Sequence, residues 1–288
     1  MTYVSLTNRR KDVLHMKFSK VYAAYFSGTG TTEKMVNAIA AKLAEKFGVA
    51  VEKFDFTPPA VRTVVKEFES DALVVFGTPV IAGRVPNVLL KYLATVKGNG
   101  AVAVPVVLYG NRNFDDALIE LRDILEADGF KPAAAAAFIG EHSFSKILAA
   151  GRPDAQDMEV ANKFAADVAA KLEALEEVAE IIAVEGVEKP YRGYYQPRDR
   201  KGTPINILKV KPLTNDNCVN CGLCAKVCPM GSINPENVKE VVGICIKCCA
   251  CVKKCPMGAK YYEDAGYLYH QTELEEGYAR RAEPALFI

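Results

Sequence analysis

The sequence predicts an α/β protein made of a doubly wound, five-stranded parallel sheet and a small α+β module that is rich in cysteine. Two observations support this prediction. Strand and helix patterns alternate along residues 19–175, which is the order of a parallel sheet with helices on both faces. All nine cysteines lie within residues 218–255, so the module that contains them is separate from the sheet. A chain of 288 residues is long enough for one ordinary domain and one small domain.

The predicted strands are short apolar runs. Residues 72–76 and 101–108 are continuously apolar, as expected of strands in the middle of a sheet that is covered on both faces. Pro105 opposes regular pairing within the second run. The other strands are predicted at 21–26, 49–54 and 133–139, and the last of these contains five alanines, which have little strand preference.

Between these strands, apolar residues recur with the period of a helix. The first helix is predicted over 32–47, where Met35 and Ile39 fall on one stripe and Gly48 ends the helix. Two more helices are predicted at 86–96 and 114–128. The last helix is predicted to begin after Pro153 and Asp154.

These patterns divide the chain into five segments. A basic leader with Arg9, Arg10 and Lys11 has no apolar signal core, so it is not interpreted as a twin-arginine signal. A polar stretch with Pro190 and Pro197 is expected to be an extended connector that lies against the sheet domain. The tyrosine-rich tail is expected to pack back on a domain. The predicted boundaries are 1–18 for the leader, 19–175 for the sheet domain, 176–212 for the connector, 213–260 for the cysteine module and 261–288 for the tail.

The cysteines form two runs of the pattern C-x2-C-x2-C-x3-C-P, and the second run overlays the first after a shift of 27 positions. This spacing is typical of a pair of 4Fe–4S clusters, in which three thiolates of one run hold one cluster and the fourth ligates the other. Two such clusters are therefore predicted. The first ligand set is Cys218, Cys221, Cys224 and Cys255, and the second is Cys245, Cys248, Cys251 and Cys228.

Structural zinc and disulfides explain these runs less well. Zinc sites usually take two separated C-x2-C pairs, and disulfide frameworks are typical of small secreted domains. Cys249 is the ninth cysteine, and it overlays Gly222, a position that is not a ligand. We expect a small packed residue there, and a redox or ligand-exchange role is the alternative.

The loop between the first strand and the first helix is rich in hydroxyl groups and glycine and has no charged residue. It comprises Ser27, Gly28, Thr29, Gly30, Thr31 and Thr32. Backbone amides at the start of a helix bind anions, and the hydroxyls add donors. Glu33 replaces the third glycine of a dinucleotide fingerprint, and the lysine of a Walker loop is absent. The pattern S-x-T-G-x-T instead resembles the phosphate loop of flavodoxins.

Together with the cysteine runs, this loop makes residues 20–260 resemble the flavodoxin–ferredoxin fusion family, in which a flavodoxin-like domain precedes a bacterial-type ferredoxin with two 4Fe–4S clusters. The resemblance implies that the cofactors are FMN and two 4Fe–4S clusters. It also implies that the loops after the third and fourth strands flank the flavin ring, where Tyr109 or Phe114 stacks on the ring or else packs in the core. The residues that the resemblance assigns to these loops are Thr78, Pro79, Val80, Ile81, Ala82, Gly83, Tyr109, Gly110, Asn111 and Phe114.

A further loop with His142, Ser143 and Phe144 follows the fifth predicted strand. We expect a polar loop in which the histidine is satisfied locally, and contact with the ferredoxin module is the alternative. No acid–base pair and no nucleophile–base pair accompanies the flavin loops, so no catalytic residue is predicted.

The resemblance implies an electron-transfer flavoprotein that passes electrons between FMN and the clusters and so links one- and two-electron partners. The alternative is a flavin-dependent reductase, an FMN/iron–sulfur oxidoreductase that reduces a small oxidised substrate with electrons from the clusters. The expected partners are redox proteins or a small redox substrate. A net charge of +1 without a basic patch argues against nucleic acid. No apolar run is long enough to span a membrane, and reduced thiols with oxygen-sensitive clusters favour the cytoplasm.

Overall fold

The computed structural model describes residues 16–288, so most of the predicted leader at 1–18 lies outside the described residues. The first six strands are β1 (Lys20–Tyr25), β2 (Ala50–Asp55), β3 (Ala72–Pro79), β4 (Val102–Tyr109), β5 (Lys131–Pro132) and β6 (Ala135–Ile139). All of them are parallel, in the order β2-β1-β3-β4-β6, and the two-residue β5 also pairs with β4. This is the flavodoxin-like order of a doubly wound sheet, so the predicted fold class is confirmed.

Four helices cover the two faces of this sheet. They are α1 (Thr31–Phe47), α2 (Asn87–Leu93), α3 (Ala117–Ala127) and α4 (Ala155–Glu173). Because side chains of a strand alternate between faces, Val21 of β1 packs in the core beneath α1 and α4, whereas Tyr22 packs in the core beneath α2 and α3. Asp154 begins α4 as predicted, because its carboxylate accepts a hydrogen bond from the backbone amide of Asp157 at 3.1 Å.

Pro105 lies in the middle of β4, opposite Phe76 of β3. On the other side of β4, β5 pairs with Val102 and Ala103, and β6 pairs only from Val106 onward. No described strand therefore pairs with Pro105 on that side. A proline has no backbone N–H to donate, so its position at this gap costs the sheet no hydrogen bond there.

The cysteine-rich module repeats in structure with the offset of its sequence. Its elements are β7 (Leu213–Thr214), α5 (Leu223–Lys226), α6 (Ala250–Lys253) and β8 (Lys260–Tyr261), with β7 antiparallel to β8. The helices α5 and α6 occupy equivalent positions in the two halves. The residues before them, Gly222 and Cys249, are both left-handed, with φ of 73° and 58°. The duplicated sequence thus folds as two similar half-sites.

The connector, residues 176–212, contains no helix or strand and lies against the flavodoxin-like domain. The guanidinium of Arg192 pairs with the buried carboxylate of Asp116 at 2.6 Å. The hydroxyl of Tyr194 donates to the carbonyl of Val85 at 2.9 Å. These contacts agree with the expectation that the connector lies against the sheet domain.

The tail also packs on the flavodoxin-like domain, through a helix and a strand that the sequence did not predict. The helix is α7 (Ala265–Gly277), and the strand is β9 (Ala285–Phe287), which is antiparallel to β6 at the edge of the sheet. The buried guanidinium of Arg152 donates to the carbonyl of Ala282 at 2.8 Å and so fixes the approach to β9. Across residues 16–288, no helix has the length and apolar character needed to cross a membrane.

Candidate functional site

The loop after β1 wraps the start of α1 and lines a cavity of about 530 Å³ at the carboxyl edge of the sheet. Gly30 is left-handed there, with φ of 104°, a conformation that glycine adopts easily. Thr29, Thr31 and Thr32 line the cavity, and the backbone amides of these residues have no acceptor within residues 16–288. Free amides and hydroxyls at the start of a helix form a binding site for an anion.

The loops after β3 and β4 form a second part of the cavity wall. The residues predicted from sequence that line the cavity are Gly28, Thr29, Thr31, Thr32, Pro79, Val80, Ile81, Ala82, Gly83, Tyr109 and Gly110. A Cβ atom on Gly110 would lie 2.3 Å from Cδ2 of His142, so a glycine is needed where these two loops meet. The apolar side chains and backbone groups of this wall suit a flat heterocycle.

Five predicted site residues do not line the cavity. The hydroxyl of Ser27 accepts hydrogen bonds from the amides of Gly30 and Glu33 and so shapes the loop, and Gly30 starts α1. Thr78 is fully buried, and its hydroxyl has no partner within the described chain. Phe114 packs against Tyr109, with ring centroids 5.7 Å apart.

Asn111 is the fifth of these residues, and it holds the tail. Its Nδ2 donates to the carbonyls of Tyr278 and Arg280 at 2.6 Å, and its Oδ1 accepts from the amide of Ala282 at 3.3 Å. The side-chain amide of Asn111 therefore binds the backbone of the tail and does not face the cavity.

The rest of the cavity wall comes from segments that the sequence did not assign to the site. Tyr194 and Tyr195 belong to the connector, and His270 belongs to α7. The guanidinium carbon of Arg112 lies 4.4 Å from the ring centroid of Tyr195, and that ring stacks on His270 at 5.9 Å. Among these residues, only the tyrosines of the connector stood out in the sequence. Their presence alone does not show which surface of the protein the connector covers.

Two histidines of the cavity wall are held neutral by burial. Burial lowers the pKa of His142 to about 3 and that of His270 to about 4. The backbone amide of Phe144 donates to Nδ1 of His142 at 3.1 Å, so the neutral imidazole carries its proton on Nε2. His142 therefore presents a neutral ring and one N–H donor at this end of the cavity.

The loop that contains His142 also contacts the cysteine-rich module. The ammonium of Lys253 on α6 forms an ion pair with Glu141 and donates to the carbonyls of His142 and Ser145 at 2.8 and 2.9 Å. Both interpretations made from sequence thus apply, because the histidine is satisfied locally and the loop meets the module.

The structure brings the cysteines together in two groups that surround two small cavities. One cavity is lined by Cys218, Cys221, Cys224 and Cys255. The other is lined by Cys228, Cys245, Cys248 and Cys251, together with Cys249. These are the two ligand sets that the spacing predicts, each with its fourth member from the other run.

The cysteine groups suit a cluster, because four cysteines of each predicted set line one small cavity. A 4Fe–4S cluster takes four thiolates around its faces, so its ligands surround a volume and not a point. The amide of Ser232 donates to Sγ of Cys228 at 3.4 Å, and the amide of Ala259 donates to Sγ of Cys255 at 3.3 Å. Such donors stabilise thiolate sulfur at equivalent places in the two half-sites.

The buried thiols of the second group need a cation to become thiolates. Burial raises the pKa of the Cys248 thiol to about 12 and also raises the pKa of the Cys251 thiol. A bound metal supplies the positive charge that deprotonates such thiols. Cys249 differs from the predicted ligands in its hydrogen bonds. Its thiol donates to the carbonyl of Lys247 at 3.4 Å and lies 3.4 Å from the hydroxyl of Tyr267.

The large cavity and the second cysteine cavity are adjacent. Ile246 and Cys248 line both of them. A Cβ atom on Gly28 would lie 3.1 Å from Cβ and 3.3 Å from Sγ of Cys248. The glycine of the anion-binding loop therefore allows a cysteine sulfur to approach the cavity closely.

Comparison with known proteins gave one family match and several similar solved structures. A model of the 4Fe-4S binding domain family matches residues 212–234. The search of curated proteins found no match. Similar solved structures include a flavodoxin from the domain Archaea, with 16% identity, 53% of this chain and 98% of that chain covered, and a TM-score of 0.38. The flavodoxin of Streptococcus pneumoniae TIGR4 has 20% identity and a TM-score of 0.36, with 53% of this chain and 97% of that chain covered. Oxidised flavodoxin 2 of Bacillus cereus has 18% identity and a TM-score of 0.39, with 53% of this chain and 99% of that chain covered.

The strand order and the matched segment define the class of the protein. It combines a sheet domain of flavodoxin-like strand order with a segment, residues 212–234, that matches the 4Fe-4S binding domain family. The match to a 4Fe-4S binding domain supports a redox role for the chain. The assignment of the flavodoxin-like part follows from its strand order.

Proposed function

We propose that this protein is an electron-transfer flavoprotein that passes electrons between FMN and two 4Fe–4S clusters within one chain. The observation that carries the proposal is that Cys248 lines both the large cavity and the second cysteine cavity, next to Gly28 of the anion-binding loop. A flavin in the first cavity and a cluster in the second would then be neighbours. FMN exchanges one or two electrons and each cluster exchanges one, so the chain would link one- and two-electron partners.

The residues of the cavity fit the two ends of FMN. The amides and hydroxyls of Thr29, Thr31 and Thr32 would hold the phosphate without a cationic side chain. The wall from Pro79 to Gly83 and Tyr109 would contact the ring. Tyr195 and His270 close the opposite side of the cavity and would exclude water from the flavin.

The cysteine groups would each hold one cluster. The first group comprises Cys218, Cys221, Cys224 and Cys255, and the second comprises Cys245, Cys248, Cys251 and Cys228. The domain boundaries proposed for the holoprotein remain 19–175, 176–212, 213–260 and 261–288 for the flavodoxin-like domain, connector, ferredoxin domain and tail. We propose a cytoplasmic location, since free thiols and exposed clusters are kept intact there.

A second candidate function is reduction of a small oxidised substrate by the flavin. The observation that favours it is that the cavity extends beyond the flavin loops to polar groups of Arg112, Asn206 and His270. Such groups orient small ligands in otherwise apolar cavities. The partners are accordingly redox proteins in the first case and a small redox substrate in the second.

Anaerobic purification followed by chemical analysis and spectroscopy tests the proposal. We expect about eight iron and eight sulfide per chain, as two clusters require, and one FMN. An absorption and EPR titration should show the flavin and both iron centres. Zinc or bare thiols in place of iron and sulfide would refute the proposal. Steady reduction of a small substrate by the purified protein would favour the second candidate, and exchange with redox proteins alone would favour the first.

A further inference from the structure

The two cysteine groups differ in their surroundings, although their sequences repeat. The second group shares Cys248 and Ile246 with the large cavity, whereas none of the residues that line the first group lines that cavity. In the first group, Cys221 is exposed at the protein surface. The second group is thus the inner one, beside the flavin loops, and the first group is the outer one.

A tyrosine hydroxyl adds a second difference. The hydroxyl oxygen of Tyr262 lies 3.6 Å from Sγ of Cys245, which belongs to the inner group. A cysteine that ligates iron carries no proton, so in the holoprotein the O–H group donates and the sulfur accepts. A shift of Tyr262 by the repeat offset of 27 leads to Pro235, which has no hydroxyl. The outer group therefore lacks this donor at the equivalent position.

The surrounding residues hold Tyr262 in place. Its ring stacks on the ring of Tyr267 with a centroid separation of 4.2 Å and an angle of 15°. Tyr267 packs in turn on Phe144 at 4.6 Å. The hydroxyl of Tyr267 lies beside Cys249, which is not in either predicted ligand set. Two similar phenols thus lie side by side, and the Tyr262 hydroxyl is the one within 3.6 Å of a proposed ligand.

Hydrogen bonds to cluster sulfur raise the reduction potential, because they stabilise the extra negative charge of the reduced cluster. Burial acts in the opposite direction, since the more highly charged state is disfavoured away from water. The inner group is the more deeply buried of the two, and it is the one with the additional donor. The Tyr262 hydroxyl therefore offsets the effect of burial where the cluster must exchange electrons with the flavin.

We propose that the inner cysteine group is the immediate electron partner of the flavin site, and that Tyr262 raises the reduction potential of the cluster there. This inference rests on the proposed function. In the direction of flavin reduction, the exposed outer group would take an electron from a one-electron carrier protein and pass it to the inner group, which would pass it to the flavin site. Two such electrons, with two protons from water, would complete the reduction of FMN.

The test is an EPR-monitored redox titration of the full-length holoprotein and its Tyr262→Phe variant. We expect the variant to lower the potential of one cluster and leave the other unchanged. The equilibrium between the two clusters should shift by up to about tenfold, equivalent to about 59 mV for one electron. Tyr267→Phe is the matched control and should move neither potential. A Tyr262→Phe variant in which both potentials are unchanged would overturn the proposal.

A second variant tests which cluster adjoins the flavin loop. In Gly28→Ala the new Cβ atom presses on Cys248, so it should alter the EPR signal of the same cluster that Tyr262→Phe shifts. Gly277→Ala, whose Cβ atom would meet no described atom within 4 Å, is the control. An altered signal from the other cluster, or from neither, would overturn the assignment. FMN missing from a protein with both clusters would refute the proposed function and the pairing of the inner cluster with a flavin. The effect of Tyr262 on the potential of the inner cluster would stand, because these titrations report on cluster sulfur.

Discussion

Loss of two hydroxyl groups from the anion-binding loop should weaken FMN binding without disturbing the fold. Thr29→Val and Thr32→Val replace a hydroxyl by a methyl group of similar size. The Cγ2 methyl of Thr32 lies 3.0 Å from where a Cβ atom on Gly77 would be, so this methyl faces the sheet. Valine preserves that packing and removes only the donor.

The size of the effect follows from the charge of the phosphate. A hydrogen bond to a charged group contributes about 1.5–3 kcal/mol, so each lost hydroxyl should raise the Kd of FMN by about tenfold to a hundredfold. The double variant should therefore bind FMN at least about a hundredfold more weakly if the two contributions add. No cationic side chain lies in the loop from 27 to 32 to compensate for the loss.

Quenching of flavin fluorescence during titration of the flavin-free protein measures this Kd. Thr272→Val is the matched control, because its hydroxyl bonds the carbonyl of Leu268 at an exposed position of α7. Riboflavin, which lacks the phosphate, should bind the wild type and the double variant equally well. A double variant whose Kd for FMN stays within about twofold of the wild-type value would refute the placement of the phosphate.

Four further predictions concern stability and metal content. Acid should destabilise the protein, because burial lowers the pKa of His142 to about 3 in the folded state from its ordinary value of 6.5. The stability is complete above the unfolded pKa and falls by about 1.4 kcal/mol per pH unit below it. Urea midpoints at about pH 7 and about pH 5.5 should differ less in His142→Gln than in the wild type. Arg152→Ala should lower the free energy of unfolding by up to about 3–5 kcal/mol, since the buried carboxylate of Asp157 loses its closest cation and keeps the more distant guanidinium of Arg281 at 3.5 Å. The surface variant Lys163→Ala should change the free energy of unfolding by less than about 1 kcal/mol. Cys249→Gly should retain all the iron, because glycine adopts φ of 58° easily, and loss of half the iron would make this cysteine a ligand. Removal of iron by a chelator should abolish hydrogen-exchange protection in the cysteine module, because the apolar core of this module is small. Protection in the parallel sheet should persist. Retained protection in the cysteine module would contradict this expectation.

The sheet was predictable because its pattern is local. The runs at 72–76 and 101–108 are apolar over their whole length, since helices cover both faces of the strands there. Five alanines gave little strand preference at 133–139, yet β6 forms there because burial between two layers admits small side chains. The two cysteine groups were equally predictable, since all of their cysteines lie within a short segment at regular spacing.

The far wall of the cavity was not predictable, because it joins segments that are distant in the chain. Tyr195 of the connector and His270 of α7 meet only after both segments have docked. Asn111 is the opposite case, a residue that was predicted to line the site and does not line it. Its amide resembles a ligand-binding group in the sequence, but the backbone of the tail uses its donors and its acceptor. Long-range contacts of this kind leave no periodic pattern.

The antiparallel edge strand β9 makes the ferredoxin domain an insertion and not an appendage. The chain leaves the flavodoxin-like domain through the docked connector and returns to the same sheet at β9. A module joined at both ends has far less rotational freedom than one on a single flexible linker. Attachment at both ends therefore disfavours a swinging motion of this module away from the sheet domain.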